Sequence, residues 1–294
     1  MVIEPEKPRV WRWLLRQDLS GVFSCSSLLK DAAEKCLLKD PISASGYTQA
    51  NVNAVWNYVM MQHEEHMARG LSPSFAVYSE SSKNWLLYPI APKLTGAARR
   101  RALRIRARPS FLRMIDTLTD REYEALSCIL LEALGCIHVQ LTRRGSEGGI
   151  DAFGLMVKAN TSHLIASNRQ PIRIVVQAKK YRRPMPADKM KEFLQTLNEV
   201  RHGGQTKTEA VTPPWFREAR GPMIGLVLSH SGYQSGAESR GRSHGVLMAD
   251  SVDAAEILAA SRTLYGKTEY ARLQACMDQA KSLVAESDKA GGST

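Results

Sequence analysis

Asp151 follows a Gly148-Gly149-Ile150 turn, and Gln177, Ala178 and Lys179 end an apolar run that begins at Ile172. A carboxylate, an amide oxygen and an ammonium group brought to one place suit hydrolysis of a phosphodiester. That reaction calls for a hard divalent cation held by oxygen ligands, to offset phosphate charge and acidify an attacking water. It also calls for a basic side chain to orient that water or meet the developing charge. If residues 172–179 form a strand, alternation puts Val175, Gln177 and Lys179 on one face and Ile174, Val176 and Ala178 on the other. Taken singly, a Gly-Gly-x-Asp turn is ordinarily a loop and a Gln-x-Lys is ordinarily the solvated end of a strand. Their order along the chain carries the reading.

The flanking pattern predicts the elements that would hold these groups. Thr119 or Asp120 can cap a helix whose apolar side carries Tyr123, Leu126, Ile129, Leu130 and Leu134 and which Gly135 ends. Strands are predicted at 136–141, 150–157 and 172–179, a helix at 188–200, a buried strand at 223–229, a short helix at 234–242 and a last strand at 246–249. The tail from 254 to about 285 reads as helix interrupted near Gly266, with disorder from 287 onward. This alternation gives an α/β fold.

The same residues resemble a known family, the Mrr-like branch of the PD-(D/E)xK nuclease superfamily in its Q-x-K form. The resemblance rests on Glu124 in a helix, on Glu147-Gly148-Gly149-Ile150-Asp151, on Gln177-Ala178-Lys179-Lys180-Tyr181, and on the later Ser229-His230-Ser231-Gly232-Tyr233. It covers roughly residues 117–260. It implies a restriction-endonuclease-like core, a mixed β-sheet flanked by helices, behind a mainly helical N-terminal domain. It also implies a DNA endonuclease of bacterial restriction or phage defence that uses Mg²⁺, with Mn²⁺ as a substitute. By that resemblance Asp151, Gln177, Lys179 and Glu124 are the catalytic set, and Asp151, Gln177, Glu124 and Glu147 are the metal ligands. Gln177 departs from the superfamily's commoner acidic residue, so a neutral oxygen replaces a carboxylate. A different class stays open: a DNA-binding or sensor subunit of a defence complex that keeps the fold without cutting. RNA as substrate is a third reading.

The formal charge is +11, and much of the excess is local. No acidic residue occurs between 81 and 115, a stretch that contains Arg99, Arg100, Arg101, Arg104, Arg106 and Arg108. Such a run suits sequence-independent phosphate contacts, and with Lys180 it is the expected DNA-binding set, duplex DNA being the expected partner. The chain divides into residues 1–112, an accessory and winged-helix-like DNA-binding domain with a basic linker; 113–262, the nuclease domain; and 263–294, a helix and tail. Helices at 26–38 and 49–69 and strands at 75–78 and 85–90 make up most of the first part. His63 and His66 are three apart, not the four of a zinc-protease helix, and read as a solvated face. Gly266-Lys267-Thr268 lacks the glycine-rich loop of a nucleotide-binding site. Five cysteines without C-x-x-C spacing point to reduced thiols. No apolar run approaches a membrane span, and the expectation is a cytoplasmic protein acting as a homodimer or with a defence-complex partner.

Overall fold

The computed structural model describes residues 6–18, 21–79, 81, 83–87, 95–143, 149–157, 170–202, 212–261, 264 and 268–289. The chain forms two compact units, Met1–Arg113 and Met114–Thr294.

The first unit runs α1 (Glu6–Leu14), β1 (Gly21–Ser24), α2 (Cys25–Lys35), α3 (Pro41–Ala68), β2 (Phe75–Ser79), β3 (Asn84–Leu87) and α4 (Gly96–Ile105), and ends within α5 (Arg108–Thr117). Its antiparallel sheet has the order β1-β3-β2. Trp11, Leu28, Leu29, Val55, Val59 and Phe75 are buried in its core. The long helix starts well before residue 49 because Asp40 accepts hydrogen bonds from the Ile42 and Ser43 amides, with Pro41 in the first turn. The four-residue strand β1 is too short to show alternation, so periodicity does not reveal it. His63 and His66 are not on a solvated face: His63 stacks on Phe75 at 4.3 Å, and His66 is buried with its ring 5.2 Å from Trp11. The basic stretch is largely helical, within α4 and the start of α5.

The second unit carries the five-stranded sheet. After α6 (Asp120–Ala133) come β4 (Cys136–Leu141), β5 (Ala152–Met156), β6 (Ile172–Lys179), α7 (Ala187–His202), α8 (Pro214–Glu218) and β7 (Met223–Ser229). The unit finishes with α9 (Ser235–Ser243), β8 (Leu247–Asp250), α10 (Ser251–Ala260) and α11 (Glu269–Lys289). Strand order is β4-β5-β6-β7-β8, antiparallel for the first two pairings and parallel for the last two. The sheet is therefore mixed and, with helices on both faces, makes this unit α/β. Strand β6 is central and buried from Ile174 to Ala178, which explains its near-continuous apolar run. α6 covers one face, with Leu131 against the bare backbone of Gly154. α7 covers the other, where Phe193 and Leu197 press on Gly225.

The tail differs from the sequence expectation. α10 begins at Ser251 behind an Asp250 capping box, and α11 continues to Lys289 with Ser287 buried. Gly266, Lys267 and residues 290–294 lie outside the described residues. All five cysteines are free thiols, and burial pushes Cys25, Cys128 and Cys276 up to about 12.

Candidate active site

The N-terminus of α6 fixes one side of the site. Thr119 caps it: its hydroxyl accepts from the Glu122 amide at 3.2 Å, and the Glu122 carboxylate accepts from the Thr119 amide at 2.7 Å. The Thr119 amide holds the Glu122 carboxyl below its ordinary range. With the start locked, Glu124 stands one turn in, and Arg121 Nη1 donates to its Oε2 at 2.7 Å.

The sheet supplies the rest. Asp151 directly precedes β5 and extends its ladder, its amide donating to the Val176 carbonyl at 2.8 Å and its own carbonyl accepting from the Thr142 amide at 3.0 Å. Its carboxylate Oδ2 accepts from the Ala178 amide at 2.7 Å and from Lys179 Nζ at 3.3 Å. Gln177 Nε2 donates to the Gly149 carbonyl at 2.7 Å, which leaves the amide oxygen as the atom able to meet a cation. Gly149 has φ +66°, and a Cβ there would come within 3.2 Å of Gln177 Nε2, so the turn needs its glycine.

The structure thus gathers Asp151, Gln177 and Lys179, with Glu124 close enough for its charge to act on Asp151. Burial, the largest effect, pushes the Asp151 carboxyl up to about 6, and Glu124 adds to this; Lys179 and the Ala178 amide act the other way. A carboxyl whose pKa is raised on folding stabilises the fold below its ordinary 3.8 and loses that contribution as pH rises through about 6. In chelator, Asp151→Asn is therefore expected to melt above the parent at pH 8, by up to about 10 °C for up to ~3 kcal/mol of relieved charge. The gap should shrink at pH 5. Calorimetry at the two pH values checks this, and a parent that melts higher at pH 8 would refute the electrostatic account.

The turn after β7 braces this end of the sheet. The His230 amide donates to the Lys179 carbonyl, Ser231 Oγ donates to the Tyr181 carbonyl at 2.8 Å, and Gly232 takes φ +76°. His230 Nε2 lies 3.0 Å from Asp116 Oδ1, and its ring meets Tyr123 edge-on. Periodicity gave no sign of the His230–Asp116 pair, whereas Arg121–Glu124 could have been found from its i, i+3 spacing.

Two residues of the expected DNA-binding set are committed elsewhere. Arg108 is buried, its guanidinium donating to the Ser72 carbonyl and to Ser74 Oγ. Lys180 Nζ donates to the carbonyls of Asp116 and Leu118. Carbonyl groups without helical partners hold these two cations, which leaves fewer of their N–H donors for a phosphate. Arg99, Arg100 and Arg106 are exposed on or beside α4, which also carries Arg101 and Arg104. Arg182 and Arg183, just past β6, are exposed too. Glu147 and Gly148 lie outside the described residues.

Among the described residues no group of three or more His, Cys, Asp or Glu could hold a metal. The available donors are instead oxygen atoms of Asp151, Gln177 and Glu124. One or two carboxylates with a neutral oxygen fit a magnesium-like ion, which keeps several waters, and not a closed zinc site. Among the described residues no helix is long and apolar enough to cross a membrane.

The mixed sheet flanked by helices, with Asp151, Gln177 and Lys179 at one end, is the arrangement that the resemblance to restriction endonucleases implies. Residues 115–258 match the family model of the Mrr catalytic domain, described as a restriction endonuclease. Solved structures similar to the chain include the DNA modification-dependent restriction endonuclease AspBHI, at 16% identity over 69% of this chain and 47% of that one, TM-score 0.37. The MspJI restriction endonuclease in complex with a 27-mer oligonucleotide gives 13%, 68%, 44% and 0.36, and FokI gives 10%, 87%, 43% and 0.34. The chain spans less than half the length of each. No curated protein matches it.

Proposed function

We propose that this chain is a divalent-metal-dependent endonuclease that hydrolyses phosphodiester bonds in duplex DNA, in bacterial restriction or phage defence. The observation that carries the reading is the Asp151 carboxylate held between the Ala178 amide and Lys179 Nζ, beside Gln177, in a domain that matches the restriction-endonuclease family model. Mg²⁺, or Mn²⁺ in its place, would neutralise phosphate charge and lower the pKa of the attacking water. Asp151 would hold the ion through its carboxylate, Gln177 through its side-chain oxygen, and Glu124 through its carboxylate or a water. Burial favours this, because a buried carboxylate gains most from an arriving cation. Lys179, tethered at 3.3 Å to Asp151, has two further N–H bonds to give to the water and to a phosphate oxygen.

The first unit we assign to DNA binding. Its order of helix, strand, two helices and a two-stranded return, with sheet order β1-β3-β2, supports a winged-helix module. The exposed Arg99, Arg100 and Arg106 supply phosphate contacts. Changing those three to alanine is expected to weaken binding to all sequences and to flatten the salt dependence by about 0.9 in slope for each phosphate no longer neutralised. Fluorescence anisotropy across a salt series measures it, and an unchanged slope would return these arginines to ordinary surface. Cleavage itself is tested with plasmids of defined methylation, in Mg²⁺ or Mn²⁺ and then with chelator. Binding without cleavage of any DNA or RNA in any divalent metal would make the chain a non-catalytic sensor subunit.

A further inference from the structure

α11 reaches the site from far along the chain. Ser287, near its end, donates its hydroxyl to the Thr142 carbonyl at 2.9 Å and accepts from Arg121 Nη2 at 2.6 Å. Arg121 Nη2 also donates to the Thr142 carbonyl, while Nη1 holds Glu124. Thr142 continues to the metal side: its amide donates to the Asp151 carbonyl, and its hydroxyl lies 2.7 Å from the Ile150 carbonyl oxygen and 3.1 Å from that of Asp151. One hydroxyl therefore joins two paths, one ending at Glu124 and the other at the backbone of Asp151. Among the described residues Arg121 Nε is buried without a hydrogen-bond partner, so the aim of the guanidinium depends on the acceptors at its other end. α11 lies outside the matched residues 115–258.

We propose that the last turn of α11 is a positioning element of the nuclease site, with Ser287 fixing Arg121 and Arg121 aiming Glu124 at the cation position beside Asp151. The proposal rests on the metal-dependent reading above. Alanine at 287 removes a donor and an acceptor together, freeing Arg121 to swing and to carry Glu124 with it. Outer hydrogen bonds of this kind typically change metal affinity about 10–100-fold.

Mn²⁺ binding to the full chain, measured by titration calorimetry, tests the idea. Ser287→Ala is expected to bind Mn²⁺ about tenfold more weakly, and Ser287→Thr, which keeps the hydroxyl, close to the parent. Ser282→Ala, on an exposed serine of the same helix that bonds Glu286, should match the parent. In a Glu124→Gln background, Ser287→Ala should add little, because both act through one carboxylate. Melting temperatures run alongside. Should Ser287→Ala not fold, Arg121→Lys reads the same loss, since it keeps charge but not the fork. Unchanged affinity in Ser287→Ala or Arg121→Lys, or a loss fully additive with Glu124→Gln, overturns the proposal alone. A parent that takes up no Mn²⁺ overturns the nuclease reading and this proposal with it.

Discussion

Replacing Asp151 or Lys179 by alanine is expected to lower DNA cleavage by about 10³-fold or more, because each removes several kilocalories per mole of transition-state stabilisation and 1.36 kcal/mol is tenfold in rate. Binding to DNA should persist. The fold should persist as well: Asp151→Ala leaves the Ala178 amide without its acceptor but also relieves a buried charge, and these oppose each other. Lys179 is partly exposed at a strand end and packs no core. Gln177→Glu is the informative companion. A carboxylate there should lower the magnesium concentration needed for half-maximal cleavage, while disturbing the hydrogen bond that Gln177 Nε2 gives to Gly149. Asp151→Ala protein that cuts at the parent's rate, with contaminating nucleases excluded, would falsify the site.

The largest loss of stability is expected from Phe193→Ala. The ring is fully buried on α7, in one core with Phe153, Val175, Met190, Leu197, Phe216 and Val227. It also fills the space that Gly225 leaves, where a Cβ would stand 2.9 Å from Phe193 Cε1 and 2.7 Å from Leu197 Cδ2. Strand β7 cannot move inward to close the hole, because it pairs with β6 and β8 on both sides. A truncation of this kind costs about 3–5 kcal/mol, which for a unit of this size lowers the melting temperature by roughly 10–15 °C. Calorimetry of the full chain gives the answer, and a drop of only a degree or two would mean that α7 does not pack on the sheet as described.

The sheet was legible because its strands are buried and apolar and its helices are capped. Thr119, Gly135 and the run from Ile172 to Lys179 each announce an element by local chemistry. Asp151, Gln177 and Lys179 were legible as a set only through their order, and the pleat then brought them together. Hidden features had weaker local signals. β1 is four residues long, α3 begins at an Asp40-Pro41 signal that its apolar spacing overshadowed, and Ser287 looks like tail because a polar helix end has no pattern. The partners of Arg108 and Lys180 were hidden for a related reason. Charge composition shows that a cation exists, whereas its partner, a carbonyl 36 residues away for Arg108 and 64 or 62 away for Lys180, is fixed only by the tertiary fold.

The docking of α11 on α6 also bears on when the protein becomes competent. Gln279 donates to Glu132, Ser287 accepts from Arg121, and Cys276 and Ala280 are buried on the same helix. α6 ends at Ala133 and α11 starts at Glu269. At roughly 5–20 residues per second of synthesis, α6 waits on the order of ten seconds for its second partner. Sheet and α7 can assemble in that interval, but Arg121 and Glu124 still lack the hydroxyl that fixes them. The second unit is then compact before α11 closes on α6, and the arrival of this helix times the completion of the Arg121–Glu124 arrangement.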